Sequence, residues 1–106
     1  MDNSKDEIVK NIRNIIESLS KKHGIKAAYI FGSYSKGNMS EHSDIDVAII
    51  LDKIRNGSPF NEAFEIFHKV QKQNSLYEVI CFTEAEFFNE NEEIIKHIKK
   101  DGIKIF

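Results

Sequence analysis

Two aspartates stand at the start of an apolar segment of the chain. Asp44 directly precedes the run Ile45–Leu51, and Asp46 lies within it, two residues further on. Because side chains alternate between the two faces of a β-strand, both carboxylates should project from the same face, roughly 6.6 Å apart along the strand. Two like charges on a half-buried strand repel each other and are costly to desolvate, so a divalent cation bound between them explains the pair well. Carboxylate oxygens of this kind suit Mg²⁺, and Mn²⁺ is also compatible.

Each aspartate also has a simpler explanation. An aspartate after Ser43 at a junction between loop and strand is ordinary turn chemistry, which is sufficient for Asp44 taken alone. Asp46 is harder to explain in this way, because a lone polar residue within an apolar strand needs a reason. A position at the edge of the sheet is the alternative reason.

A Gly-Ser pair precedes the aspartates. Gly32 and Ser33 follow the apolar run Ile25–Phe31, which the pattern predicts to be a strand. Glycine lets a backbone approach a ligand closely, and a hydroxyl with free backbone N–H groups forms a phosphate site. Taken alone, Gly-Ser is more often a plain turn, and Lys36 in the same loop either meets a phosphate or is solvated. Gly-Ser combined with Asp-x-Asp at a fixed spacing arises by chance in only roughly one chain in five hundred of this length.

A third carboxylate, Glu78, lies in another apolar run, residues 76–82. If this run forms a strand beside Ile45–Leu51, Glu78 projects next to Asp44 and Asp46. Three carboxylates can hold two divalent metals about 3.5–4 Å apart, which clamp the attacking and leaving oxygens of a phosphoryl displacement. The alternative is a surface residue on the exposed face of its strand.

Helices and strands must bring these residues together, and the apolar periodicity predicts the order α-β-loop-β-α-β-α-α-β. The fold class is therefore α/β or α+β, with a mixed sheet of about four strands flanked by helices. The strands are expected at residues 25–31, 45–51, 76–82 and 103–106.

The helices carry more specific expectations. They should begin near Ser4, Pro59, Glu84 and Asn89, the last two with the capping boxes Thr83–Glu86 and Asn89–Glu92. The second helix is expected to bury the apolar side chains Phe60, Phe64, Phe67 and Val70.

Composition and charge restrict the class of protein. The 106 residues are 41% hydrophobic and 30% charged, which is typical of one globular domain spanning residues 1–106. The net charge of −2 argues against a long nucleic acid as partner. The single cysteine, Cys81, excludes an internal disulfide and favours a reducing, cytoplasmic location. No histidine stands at zinc-ligand spacing from Cys81, so a zinc site is not expected. Apolar runs of at most five residues and the absence of a signal-like N-terminus make a membrane span or secretion unexpected.

The spacing of the two motifs resembles the signature of the minimal nucleotidyltransferases of the DNA polymerase β superfamily. Gly32-Ser33 is followed by ten residues and then by Asp44-Ile45-Asp46. The longer string Phe-Gly-Ser-x-x-x-Gly followed by Ser-Asp-Ile-Asp is also similar to that family. The resemblance covers nearly the whole chain and implies the nucleotidyltransferase fold.

The resemblance implies a role for each motif residue. Asp44 and Asp46 would bind two Mg²⁺ ions and the triphosphate of ATP, and Gly32 and Ser33 would hold its β- and γ-phosphates. The third carboxylate of the family, usually Asp, would fall at Glu78, bind one metal and act as the base for the incoming hydroxyl. Glu is longer than Asp by one methylene, so its reach into the site differs. Lys36 matches a position that is often basic.

The resemblance also implies a partner. The chain is similar to small prokaryotic antitoxins that are paired with a helical HEPN toxin, some of which transfer AMP to a tyrosine of that toxin. A chain this short leaves little material to hold an acceptor, so another protein or a second copy in a homo-oligomer would supply that surface. One alternative is a binding module that neutralises its partner by occlusion. A small-molecule modifier, such as an antibiotic nucleotidyltransferase, is less favoured because such enzymes usually carry a second helical domain.

Overall fold

The computed structural model describes residues 4–32, 45–53, 59–73, 76–90 and 92–106. Within these ranges the helices are α1 Ser4–His23, α2 Pro59–Gln73, α3 Glu84–Asn89 and α4 Glu93–Asp101. The strands are β1 Ile25–Phe31, β2 Ile45–Leu51, β3 Tyr77–Thr83 and β4 Ile103–Lys104. The predicted order of elements is confirmed, with β3 shifted by one residue and β4 shorter than expected.

The four strands form one mixed sheet in the order β3-β2-β1-β4. β1 is antiparallel to both β2 and β4, whereas β2 and β3 are parallel. β2 therefore has a hydrogen-bonded neighbour on each side, so an edge position does not explain Asp46. The predicted mixed α/β class is confirmed.

Helices cover both faces of the sheet. Alternate residues of β2, among them Val47 and Ile49, pack with α1 and α2 in one buried cluster. The intervening residues Ala48 and Ile50 pack with α3 and α4 in a second cluster. Because both faces are buried, β2 has a nearly continuous apolar sequence rather than an alternating one.

Two helix ends have residues that favour a terminus, and one predicted cap is absent. Gly24 has a positive φ of 63° and ends α1, whose last turn is basic. Thr83 and Glu86 form the predicted capping box at the start of α3. The capping box expected at Asn89 is wrong, because Asn89 is the last residue of α3 and the N-cap of α4 is Glu92, without a side-chain cap bond.

The expected burial of Phe64 is also wrong. Its side chain is 53% exposed and its ring contacts that of His68 at a centroid distance of 4.4 Å. The buried stripe of α2 is instead Glu62, Ile66 and Val70, spaced by four residues. Because Glu62 is held inside by a partner described below, the helix presents that stripe to the sheet and turns Phe64 towards solvent. Phe67 is half-buried, Val70 is buried as expected, and the side chain of Phe60 lies outside the described residues.

Among the described residues, no helix combines the length and the apolar character needed to cross a membrane.

Candidate active site

Asp46 lies in the middle of a row of residues that crosses three strands. It is the register partner of Phe31 on β1 and of Glu78 on β3. Neighbouring strands are about 4.8 Å apart, and register partners project from the same face. The condition on which the placement of Glu78 depended, that its strand lies beside Ile45–Leu51, is therefore met, and positions 46 and 78 lie side by side.

This row lies on the face of the sheet that α3 and α4 cover. Ala48 and Ile50 of β2 and Ile80 and Phe82 of β3 belong to the apolar cluster on that face. By alternation, Asp46 and Glu78 occupy the same face one step beyond this cluster. Asp46 is half-buried and Glu78 is exposed, so the two acids stand where the apolar cover ends.

Gly32 touches the carboxylate of Asp46. Its φ is +76°, and a Cβ on this residue would lie under 3.0 Å from Oδ2 of Asp46. No L side chain fits there, and the left-handed backbone conformation independently favours glycine. The glycine of the Gly-Ser pair therefore has a definite local function, which is to let the turn after β1 lie directly against the carboxylate of β2.

The remaining motif residues, Ser33, Lys36 and Asp44, lie outside the described residues. Their expected roles stay predictions. Within the described residues, half-buried Asp46 lies beside exposed Glu78, and Gly32 leaves space next to Asp46. These carboxylates offer the hard oxygen ligands that Mg²⁺ requires. A divalent cation fits these residues.

A surface cavity of about 340 Å³ opens beside Gly32. It is lined by Phe31 and Gly32 at the end of β1 and by Ile94, His97 and Asp101 of α4. Sequence reasoning did not find the contribution of α4. The only signal was the i, i+4 spacing of His97 and Asp101, which places both on one face of a helix.

A second polar cluster lies on the opposite side of the sheet, between α1 and α2. His23 and Glu62 are almost completely buried, and Nδ1 of His23 lies 2.6 Å from Oε2 of Glu62. Oε1 of Glu65 lies 2.9 Å from Lys22 Nζ and also 2.9 Å from Lys69 Nζ. Sequence reasoning compared the histidines only with Cys81 and missed this cluster.

The charges of this cluster are balanced by the protein itself. Hydrogen bonds from Lys22 and Lys69 lower the pKa of Glu65 to about 2, and the hydrogen bond to Glu65 raises the pKa of Lys22. His23, Glu62 and Glu65 offer ligand atoms within 4.8 Å of one another, a spacing that could hold a metal ion. Lys69 Nζ, however, lies 3.4 Å from Nε2 of His23, which is where a cation would have to bind. The arrangement is therefore a network of hydrogen bonds and ion pairs between α1 and α2, buried at His23 and Glu62 and exposed at Lys22.

Cys81 takes no part in either cluster. Burial, with a smaller contribution from the charge of Glu62, raises the pKa of its thiol to about 12. The thiol is therefore protonated at neutral pH and behaves as the small hydrophobic residue that the sequence predicted.

A sequence model of the family described as polymerase beta, nucleotidyltransferase, matches residues 13–106. The chain belongs to this nucleotidyltransferase family. The membership that the Gly-Ser and Asp-x-Asp spacing predicted is thereby confirmed.

Two archaeal proteins are similar in sequence, both candidate protein adenylyltransferases of Methanocaldococcus jannaschii. One is 33% identical over 66 residues, which span 62% of this chain and 65% of the relative. The other is 37% identical over 54 residues, which span 44% of this chain and 58% of the relative. The match thus covers less than two thirds of the length of either relative.

Solved structures share the fold at low sequence identity. A candidate nucleotidyltransferase from Sulfolobus solfataricus superposes with a TM-score of 0.66 at 20% identity, covering 95% of this chain and 81% of its own. An MNT antitoxin complex with a tri-AMPylated HEPN toxin from Shewanella oneidensis gives a TM-score of 0.61 at 16% identity, covering 96% and 71%. A toxin–antitoxin structure with AMP-PNP gives 0.61 at 20% identity, covering 89% and 72%. At these identities the likeness establishes the nucleotidyltransferase fold.

Proposed function

We propose that this chain is a nucleotidyltransferase that moves AMP from ATP to a hydroxyl of an acceptor protein, a tyrosine of a HEPN-type toxin, and so acts as an antitoxin. The observation that carries the proposal is the contact of Gly32 with Asp46 and the register of Asp46 with Glu78. These positions belong to the motif that the family uses for nucleotide transfer. Residues 1–106 serve in this proposal as one nucleotidyltransferase domain.

Each motif residue has a distinct task in the proposed reaction. The turn at Gly32 and Ser33, with Lys36 nearby, binds the β- and γ-phosphates through backbone N–H groups and side chains. Asp44, Asp46 and Glu78 provide the carboxylate oxygens for two Mg²⁺ ions. When bound, these ions supply positive charge that stabilises the negative charge developing on the phosphates.

The reaction is a displacement at the α-phosphorus. Glu78 lies on an edge strand and is exposed, so an acceptor hydroxyl can approach it from outside the sheet. Glu78 accepts the hydroxyl proton while the oxygen forms its bond to the α-phosphorus. The bond from the α-phosphorus to the oxygen bridging to the β-phosphorus breaks, and pyrophosphate leaves with that electron pair.

The choice of acceptor draws on the comparisons. The relatives in M. jannaschii are named for adenylyl transfer to protein. One structural neighbour is an MNT antitoxin bound to a HEPN toxin that carries three AMP groups. Both support AMP as the transferred group and a HEPN-type helical protein as the acceptor.

The test is transfer of label from α-labelled ATP to the HEPN-type protein encoded beside this chain. The intact chain with Mg²⁺ should label the partner, and EDTA should stop the labelling. Asp44→Asn combined with Asp46→Asn should reduce transfer by about 10³-fold or more, since electrostatic groups at a reacting phosphate each contribute about 10²–10³-fold. Glu17→Gln, which removes an exposed carboxylate from α1, is the matched control and should transfer at the wild-type rate.

Two variants of Glu78 separate the role of its charge from its length. Glu78→Gln should lower the rate by about 10²–10⁴-fold, which is the usual contribution of a general base. Glu78→Asp keeps the carboxylate and restores the residue usual in the family, so its rate should stay within about tenfold of the wild type.

Three outcomes would contradict the proposal. They are absence of transfer by the intact chain, unchanged transfer after loss of both aspartates, and neutralisation of the toxin in cells by the Asp44→Asn, Asp46→Asn variant. The last result would favour neutralisation by occlusion.

A further inference from the structure

The cavity beside Gly32 lies next to the proposed phosphate site but has no task in the reaction described above. We propose that it holds the base and ribose of the nucleoside triphosphate, with His97 and Asp101 of α4 as the residues that select the nucleoside. This inference rests on the proposed function, because it assumes that the triphosphate binds at Gly32.

The cavity is placed to receive a nucleoside whose phosphates lie on the row of functional positions. The row of functional positions runs from Gly32 after β1, through Asp46 on β2, to Glu78 on β3. In the proposed reaction the acceptor hydroxyl approaches the Glu78 end, since β3 is an edge strand of the described sheet and Glu78 is exposed. The nucleoside is bonded only to the α-phosphorus, between the pyrophosphate at Gly32 and the acceptor at Glu78, so it leaves this row sideways. The cavity between the end of β1 and α4 lies on the face of the sheet that carries the row and can receive it.

The lining of the cavity suits a nucleoside better than a phosphate. Phe31 and Ile94 offer apolar surface to a flat heterocycle, and the ring of Phe31 can stack on it. The carboxylate of Asp101 repels phosphate but accepts hydrogen bonds from an amino group of a base or from ribose hydroxyls. The volume of about 340 Å³ lies within the usual range for small-ligand sites.

The two polar side chains are placed to serve one ligand. His97 and Asp101 are four residues apart on α4, so they lie on the same face one turn apart. Both are exposed, and neither forms a hydrogen bond or ion pair with another residue in the described part of the chain. Pairing with other described residues therefore does not explain why these two side chains line the cavity.

The test compares two ligands that differ only by the nucleoside. Calorimetry with Ca²⁺ in place of Mg²⁺ measures binding of ATP and of inorganic tripolyphosphate without turnover. Wild type should bind ATP more tightly than tripolyphosphate. His97→Ala combined with Asp101→Ala should weaken ATP binding by about tenfold or more, since it removes a hydrogen bond to a charged group, and should leave tripolyphosphate binding unchanged.

A matched control lies on the same helix. Glu93 and Lys96 form an exposed ion pair at 3.7 Å and do not line the cavity. Glu93→Ala combined with Lys96→Ala should leave the affinities of both ligands at the wild-type values. Thermal unfolding of each variant checks that α4 is intact.

Selectivity gives a second readout. If these side chains discriminate between nucleosides, the affinities for ATP, GTP, CTP and UTP should differ less in the His97→Ala, Asp101→Ala variant than in wild type.

The outcomes separate this inference from the proposed function. Equal affinity of wild type for ATP and tripolyphosphate would overturn the inference and leave the nucleotidyltransferase proposal intact. Equal loss of affinity for both ligands in the His97→Ala, Asp101→Ala variant would also overturn it. Binding of neither ligand by wild type would instead contradict the proposed function.

Discussion

Two groups of carboxylates lie on opposite sides of the sheet and meet different neighbours. Between α1 and α2, Glu62 is 1% exposed and pairs with the buried ring of His23 at 2.6 Å. On the other side, Asp46 has a second acidic residue, Glu78, as its register partner. In one group a buried carboxyl group meets a nitrogen of an imidazole ring, and in the other two acidic residues are register partners.

The difference indicates which group is structural. A carboxylate that is taken fully out of water needs a protein partner, and in the first group the protein supplies one. Two carboxylates side by side at the end of an apolar cluster repel each other, and this repulsion is unfavourable for the fold. The first group should therefore affect stability when changed, and the second should affect function.

The largest expected effect on stability comes from breaking the buried pair. His23→Leu removes the 2.6 Å hydrogen bond to the buried carboxyl group of Glu62, which should lower the free energy of unfolding by about 3–5 kcal/mol. His23→Leu combined with Glu62→Leu should recover most of this loss, because both buried polar side chains are then replaced by apolar ones. Asp46→Asn should change the free energy of unfolding by less than about 1 kcal/mol. Urea unfolding followed by circular dichroism measures all three variants.

Two results would remove the distinction between the groups. One is a loss below about 1 kcal/mol for His23→Leu. The other is a loss of several kcal/mol for Asp46→Asn, which would make the carboxylate of β2 a structural group as well.

The two glycines that flank β1 allow a sharper comparison. Both have a positive φ, 63° at Gly24 and 76° at Gly32. Gly24→Ala and Gly32→Ala should each cost about 1–2 kcal/mol, since an L side chain is strained in this conformation. Only Gly32→Ala places a Cβ against Oδ2 of Asp46, so only this variant should also lose metal-dependent ATP binding. Urea unfolding and calorimetry together provide the two measurements.

The comparison fails if the two glycine variants behave alike in ATP binding. Loss of binding in both would mean that strain in β1 is sufficient, and retention in both would mean that the contact of Gly32 with Asp46 is not required.

The sequence patterns predicted one side of the molecule better than the other. The bounds of β1 and β2 match the expected ones, because each is an apolar run closed by turn residues. The period of a strand puts Glu78 beside Asp46 on condition that their strands are neighbours, and β2 and β3 are neighbours. Both inferences use local patterns and the period of a strand, which a single sequence carries.

The face of α2 that is buried could not be predicted in the same way. Its aromatic spacing favoured Phe64 for the core, but the fold buries Glu62 because His23, 39 residues away in the chain, pairs with it. The wall of the cavity on α4 has the same origin, since His97 and Gly32 line one cavity because α4 packs on β1. Such pairings between distant residues follow from tertiary structure and leave little signal in a single sequence.

The smallest expected effect is a dependence of stability on pH, which comes from Glu65 in the cluster between α1 and α2. Lys22 and Lys69 lower the pKa of Glu65 to about 2 in the folded chain, below its value near 4.3 when unfolded. Because the folded state holds this carboxylate ionised more strongly, its stabilisation is present above about pH 5 and is lost as the pH falls towards 2. Glu65→Gln should therefore show a shallower decrease of the thermal midpoint between pH 5 and pH 2 than wild type. The control Glu93→Gln removes an exposed carboxylate 3.7 Å from Lys96 and should keep the wild-type dependence of the thermal midpoint on pH. If Glu65→Gln also kept the wild-type dependence, the lysines around Glu65 would contribute nothing to the fold.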